Sequence, residues 1–262
     1  MSKYSVSVVL IVFLILNIIG CSKNLDTQTP PKVKPITLKN SPTPKNDGIS
    51  KTKISAVTLT SYPASIAAVV NKTYYMPIDY IPKDLVYPNV PFLFNEKIEK
   101  RKMRSEAAKA LERLFAAAKK DGISLSGVSA YRSYATQKVL FNNYVKRDGY
   151  EKARTYSAIP GTSEHQTGLG IDVSGSSGKC AAASCFAKTK EATWLSKHSA
   201  EYGFIVRYPK GKESITGYKY EPWHIRYVGN ISNPIKSRGI TLEEYLHVYS
   251  VSNKIISDPL NY

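Results

Sequence analysis

A chain of 262 residues with 42% hydrophobic side chains can bury one sizeable core, which excludes a mostly disordered protein. Its 37 lysines and arginines against 20 acidic residues leave a formal charge of +17, so it attracts polyanions: nucleic acid, anionic lipid or an anionic cell-wall polymer. A basic surface that only keeps the protein soluble accounts for the same numbers.

The N-terminus separates these partners. MSKYS carries one lysine, Val6 to Ile19 is apolar apart from Ser7 and Asn17, and the run closes on Ile18-Ile19-Gly20-Cys21. A membrane-spanning helix needs about 20 apolar residues, so the stretch reads as an export signal, with an uncleaved anchor as the alternative. Its end resembles the bacterial lipoprotein signal, which implies that residues 1–21 are the signal and that Cys21 is lipidated. The domain is then expected outside the cytoplasmic membrane and tethered to it. Nucleic acid is not expected as a partner; an anionic wall polymer is. Residues 22–56, rich in Pro, Lys, Thr, Ser and Asn, bury too little to offset their ordering entropy and read as a disordered tether. Globular composition follows, giving a domain over 57–250 and a tail over 251–262.

Tyr74 to Pro88, rich in Pro and Tyr, reads as an extended segment wrapping the core. Ala108, Leu111, Leu114, Phe115 and Ala118 recur at helical spacing and predict a helix over Ser105 to Lys120, stopped by Asp121-Gly122. A strand over Ile123 to Ala130 leads into YRSY, and a second helix covers Thr136 to Lys146, with Gly149 past its end. In LGIDV the period becomes two: Leu169, Ile171 and Val173 share one face, Gly170 and Asp172 the other. Cys180 and Cys185, in an exported chain, read as a local disulfide, with two free thiols or, less well supported, two metal thiolates as the alternatives. A third helix spans Glu191 to Tyr202, closed by Gly203, and a strand follows over Phe204 to Tyr208. Trp223, Ile225 and Tyr227 then alternate with His224 and Arg226, and a last helix runs from Leu242 to Tyr249. Helices mixed with short strands, without regular βαβ alternation, predict an α+β fold.

Four residues carry candidate chemistry: His165, Asp172, Glu221 and His224. Two imidazoles and one carboxylate suit zinc with a fourth position left open, and a carboxylate that is not a ligand can move a proton. Spacing alone does not assign the two carboxylates to these roles. Each residue also has an ordinary reading, a hydrogen-bonded strand histidine or a turn aspartate. His198 and His247 read as surface or packing residues, and Tyr131, Tyr134 and Trp223 as packing. Ser176-Ser177-Gly178-Lys179 has the spacing of a serine penicillin-binding enzyme, but it lies in a loop and the partner Lys-Thr-Gly is missing at Ile215-Thr216-Gly217.

The runs SAYRSYATQ, PGTSEHQTGLGIDV and WLSKHSAEYGFIVRYPKGKESITGYKYEPWHIRYVG, in that order, resemble the zinc D-alanyl-D-alanine carboxypeptidases of the VanY type over roughly residues 60–250. Related L,D-carboxypeptidases share the pattern. The resemblance implies a small central antiparallel sheet with flanking helices, and Zn2+ held by His165, Asp172 and His224. It implies Glu221 as general base and acid, and Arg132 as the group that grips the substrate carboxylate or stabilises the oxyanion. Ser163 and Gln137 match positions lining the substrate pocket. The implied function is a membrane-tethered, monomeric hydrolase that removes the terminal D-alanine of peptidoglycan stem peptides, with the D,D cut placed ahead of the L,D cut. A non-catalytic wall-binding lipoprotein is the competing reading.

Overall fold

The computed structural model describes residues 62–248; the expected signal with Cys21, the 22–56 tether and the 251–262 tail lie outside the described residues. Helix α1, Ser105–Lys120, forms where the apolar period is strongest, and it buries Ala107, Ala108, Ala110, Leu111, Leu114, Phe115 and Ala118. Its small residues let it lie close against a four-stranded sheet made of β3 (Leu125–Ser129), β4 (Gly170–Gly175), β5 (Phe204–Val206) and β6 (His224–Tyr227). The strand order is β3-β4-β6-β5, with every neighbouring pair antiparallel. A two-stranded ribbon, β1 (Leu85–Val86) with β2 (Met103–Arg104), precedes α1.

The period of two decides which face does what. Leu125, Val173, Ile171, Ile225 and Phe204 point into one cluster with α1. Burying each such side chain contributes roughly 1.5–3 kcal/mol. The opposite face carries Asp172 and His224, and Ile205 joins a second apolar cluster with Val69, Val228, Ile235 and Leu242. The 74–88 segment follows the core as expected: the Met76 N–H donates to Gly161 O at 2.7 Å and the Ser105 N–H to Asp84 O at 2.9 Å.

Helix α2, Tyr134–Asp148, starts at Ser133, whose hydroxyl accepts from the Thr136 N–H. Helix α3, Tyr150–Tyr156, follows one residue later and has no counterpart in the sequence reading, because its face buries only Ala153. Helix α4, Lys190–His198, tightens into a 3-10 turn over Ser199–Tyr202 and stops at Gly203, whose φ of +84° admits the reversal. Short helices α5 (Glu213–Thr216), α6 (Ser232–Arg238) and α7 (Leu242–Tyr245) complete the described chain. The last of these corrects the expected helix from Leu242 to Tyr249. His247 takes φ +54° and the Val248 N–H reaches back to Glu243 O at 2.8 Å, closing the helix after Tyr245. Cys180 and Cys185 are disulfide-bonded, with Cα atoms 5.5 Å apart, in the loop after β4. Among the described residues no helix is long and apolar enough to cross a membrane.

Candidate metal centre

Strand register builds most of the site. Asp172 pairs directly across the β4–β6 ladder with His224, so both side chains leave the same face at the same height. His165 arrives from the 3-10 turn Glu164–Thr167 that leads into β4. Gly168 makes that junction possible: its φ is +68°, and a Cβ there would sit 2.9 Å from Leu85 Cδ2. His165 Nε2 lies 3.4 Å from Asp172 Oδ2, and His224 Nδ1 lies 2.9 Å from Asp172 Oδ1. One ligand atom from each of the three residues falls within 4.8 Å of the others.

The donor chemistry fits a divalent cation. His165 Nδ1 is 2.6 Å from Ala130 O, and a carbonyl can only accept, so the proton sits on Nδ1 and the Nε2 lone pair faces the aspartate. Burial opposes ionisation of Asp172, but His165 and His224 keep its carboxyl well below the usual carboxylate range. Burial also opposes charge on His224, yet the Asp172 and Glu164 carboxylates beside its ring raise it to about 9. A positive charge is therefore favoured on the Asp172 side of the ring, where a cation would replace the proton. Two imidazole nitrogens and one carboxylate oxygen form a zinc-type set with an open fourth position.

These groups open into a cavity of about 410 Å³ that also contains Arg132, Ser163 and Glu221. Arg132 stands at the corner between β3 and α2. Its Nη1 donates to Gln137 Oε1 at 2.7 Å and its Nη2 to Ser129 Oγ at 3.0 Å. Those bonds use two of the five guanidinium N–H groups and leave others for a ligand. Glu221 heads the turn into β6, and its carboxyl is pushed up to about 7 by burial, with His224 pulling it down and Asp172 pushing it up.

Not every expected residue lines the cavity. Gln137 is fully buried behind Arg132, with Nε2 donating to Ala158 O at 2.7 Å, so it braces the arginine and does not face the cavity. Trp223, expected only to pack, packs against the core and also lines the wall. Ser176 and Lys179 sit on an exposed turn outside the cavity, which removes the serine-enzyme arrangement. The sequence reading missed Tyr144, Tyr156, Tyr208, Tyr218 and Lys219, all of which line the cavity. Tyr208 stacks on the His224 ring with centroids 5.1 Å apart, and the Tyr218 hydroxyl donates to Thr162 O at 2.8 Å. The abundance of tyrosine, 19 in the chain, was the available signal, but abundance carries no position.

Residues 100–230 match the family described as VanY: D-alanyl-D-alanine carboxypeptidase. The Bacillus subtilis (strain 168) protein YodJ, named as a carboxypeptidase, is 49% identical over 74% of this chain and 71% of its own length. Among solved structures, the LdcB LD-carboxypeptidase shares 50% identity at a TM-score of 0.68, covering 72% of this chain and 88% of that one. The vancomycin-resistance D,D-pentapeptidase VanY, solved as a mutant in complex with Zn(II), shares 31% identity at a TM-score of 0.55, covering 69% of this chain and 98% of that one.

Proposed function

The chain belongs to the VanY D-alanyl-D-alanine carboxypeptidase family, and from that premise we propose a zinc-dependent carboxypeptidase that removes the terminal D-alanine from peptidoglycan stem peptides. One observation carries the reading: His165, Asp172 and His224 converge within 4.8 Å in the cavity that also holds Glu221 and Arg132. When bound, zinc supplies a Lewis acid that polarises the scissile carbonyl and brings the pKa of water toward neutrality. The chain's own groups do the rest. Arg132 binds the terminal carboxylate through paired hydrogen bonds, which restricts cleavage to the last peptide bond, since an internal bond lacks that charge. Glu221 accepts the proton of the attacking water as the C–O bond forms, then returns it to the departing amine as the C–N bond breaks. The products are the shortened peptide and free D-alanine.

The position of the cut follows from what precedes it. We place the L,D cut first, between the diamino acid and the D-alanine of a tetrapeptide stem, because identity to the LD-carboxypeptidase exceeds identity to the D,D-pentapeptidase, 50% against 31%. The D,D cut is the second reading, favoured by the family's own description. Mass spectrometry of defined tetrapeptide and pentapeptide stems after incubation decides between them. Loss of D-alanine from the tetrapeptide, abolished by a chelator and restored by zinc, is the expected result; cleavage indifferent to the chelator overturns the metal assignment.

The site of action belongs to the same proposal: an extracytoplasmic domain held to the membrane through a lipid on Cys21. The Ile18-Ile19-Gly20-Cys21 sequence and the Cys180–Cys185 bridge, at home in an oxidising compartment, support it.

A further inference from the structure

Glu164 sits beside a metal-ligand candidate in sequence and lines the same cavity, but its carboxylate has different partners. In the 3-10 turn Glu164–Thr167 His165 meets Asp172, while Glu164, only 1% exposed, meets two buried arginines. Its Oε1 accepts from Arg207 Nε at 2.6 Å and from Arg226 Nη1 at 2.8 Å. Both guanidiniums are held from behind. Arg207 is clamped by Glu243 at 2.6 and 2.9 Å, and Arg226 donates to Ile66 O at 2.8 Å, Ala68 O at 2.9 Å and Tyr227 O at 3.0 Å. Two cations and two anions close a neutral, fully buried set.

A carboxylate kept only to balance that set would spend both oxygens on the guanidiniums. Here Oε2 has no hydrogen-bond partner among the described residues; neither has His224 Nε2, and the two lie 3.6 Å apart. Gly170 leaves room for this meeting, since a Cβ there would stand 3.2 Å from His224 Nε2. We propose that Glu164 is a positioning residue: its Oε2 accepts from His224 Nε2–H, fixing the tautomer that offers Nδ1 to the ion, and the arginine set holds it there. The inference rests on the zinc reading above.

Glu164→Gln tests it with a defined geometry. The two arginines donate to the Oε1 position, so the amide must put its oxygen there and its NH2 against His224 Nε2. Donor then faces donor, and the tautomer with the proton on Nδ1, which blocks the ligand lone pair, becomes favoured. Zinc affinity, read by competition with a chromophoric chelator, is expected to fall roughly 10–100-fold. Glu243→Gln is the control, because it removes a charge from the same set without touching His224. Both variants lower the melting temperature of the metal-free protein, but Glu243→Gln keeps zinc affinity close to the parent's. Equal losses of affinity in both, or none in Glu164→Gln, overturn the proposal while leaving the zinc reading intact. A parent protein that binds no zinc overturns both. If Glu164→Gln does not fold, long-range proton–nitrogen NMR of the zinc-loaded parent, with only four histidines to resolve, still decides. His224 with its proton on Nε2 supports the proposal, and a proton on Nδ1 overturns it.

Discussion

Glu221 shows how one residue's surroundings set both chemistry and stability. A group that takes a proton from water and returns it to an amine works best with a pKa near ambient pH, and burial lifts this carboxyl to about 7. In the proposed role the ionised form is the active one, so kcat/KM should rise as pH climbs through the Glu221 pKa and level above it; a bound divalent charge would move that limb downward. Glu221→Gln should erase the limb and lower kcat by about 10²–10⁴. The same shift has a cost in the metal-free protein. There the folded state keeps a proton up to about pH 7 that the unfolded chain releases near the ordinary carboxylate value, so stability falls as pH rises across that window. Metal-free Glu221→Gln should therefore be more stable than the parent at pH 8 by roughly 1–3 kcal/mol and equal to it at pH 4. Denaturant titrations at the two pH values check this, and identical differences at both would mean the carboxyl is unperturbed. Arg132 makes a second case. Arg132→Lys keeps the charge but loses the planar fork, and kcat/KM should drop about 10–100-fold for peptides with a free terminal carboxylate. C-terminally amidated peptides, already poor substrates, should show no further loss.

Among elements, the loop between β4 and α4 shapes the cavity without supplying chemistry. Ala182 and Ser184 line the wall, between cysteines that are bridged, and Cys180 and Ala182 both hold positive φ, 63° and 50°. Left-handed backbone at non-glycine residues costs on the order of 1–2 kcal/mol each, so an unbridged loop relaxes away from this shape. Phe186, fully buried, pins the end of the loop to the core, so the fold survives loss of the bridge. Replacing both cysteines by serine should raise KM severalfold with kcat and zinc affinity nearly unchanged; an unaltered KM would show that the rim does not touch the peptide. This loop, like α3, marks the limit of one-dimensional reading. Helices α1 and α4 were legible because apolar spacing and stop residues agree, whereas α2 buries only Gln137 and Phe141, and Val139, on its expected apolar side, is exposed. In α3 and α6 few side chains are buried, and the period has nothing to report. Alternation placed Asp172 and His224 on polar faces, and resemblance named them as ligands. That they pair across one ladder, or that Glu164 meets Arg226 from 62 residues away, depends on a register no local pattern encodes.

Across the whole molecule, charge is divided sharply between inside and outside. The buried set of Glu164, Glu243, Arg207 and Arg226 is neutral, so the net charge of +17 lies elsewhere, and residues 22–56 alone hold seven lysines against two aspartates. A lipid on Cys21 and a basic surface would hold the protein by different physics. Lipid insertion is hydrophobic and indifferent to salt, whereas attraction to an anionic wall polymer is screened as the Debye length falls from about 10 Å at 0.1 M to about 3 Å at 1 M. Cell fractionation of Cys21→Ser separates the two. The parent should stay with the membrane at high salt and leave it only with detergent. The variant should leave the membrane fraction, remain on the wall at low ionic strength and elute at roughly 1 M salt. A variant that still needs detergent would mean the apolar segment is an uncleaved anchor, and one found free at low salt would mean the basic surface has no partner on the wall.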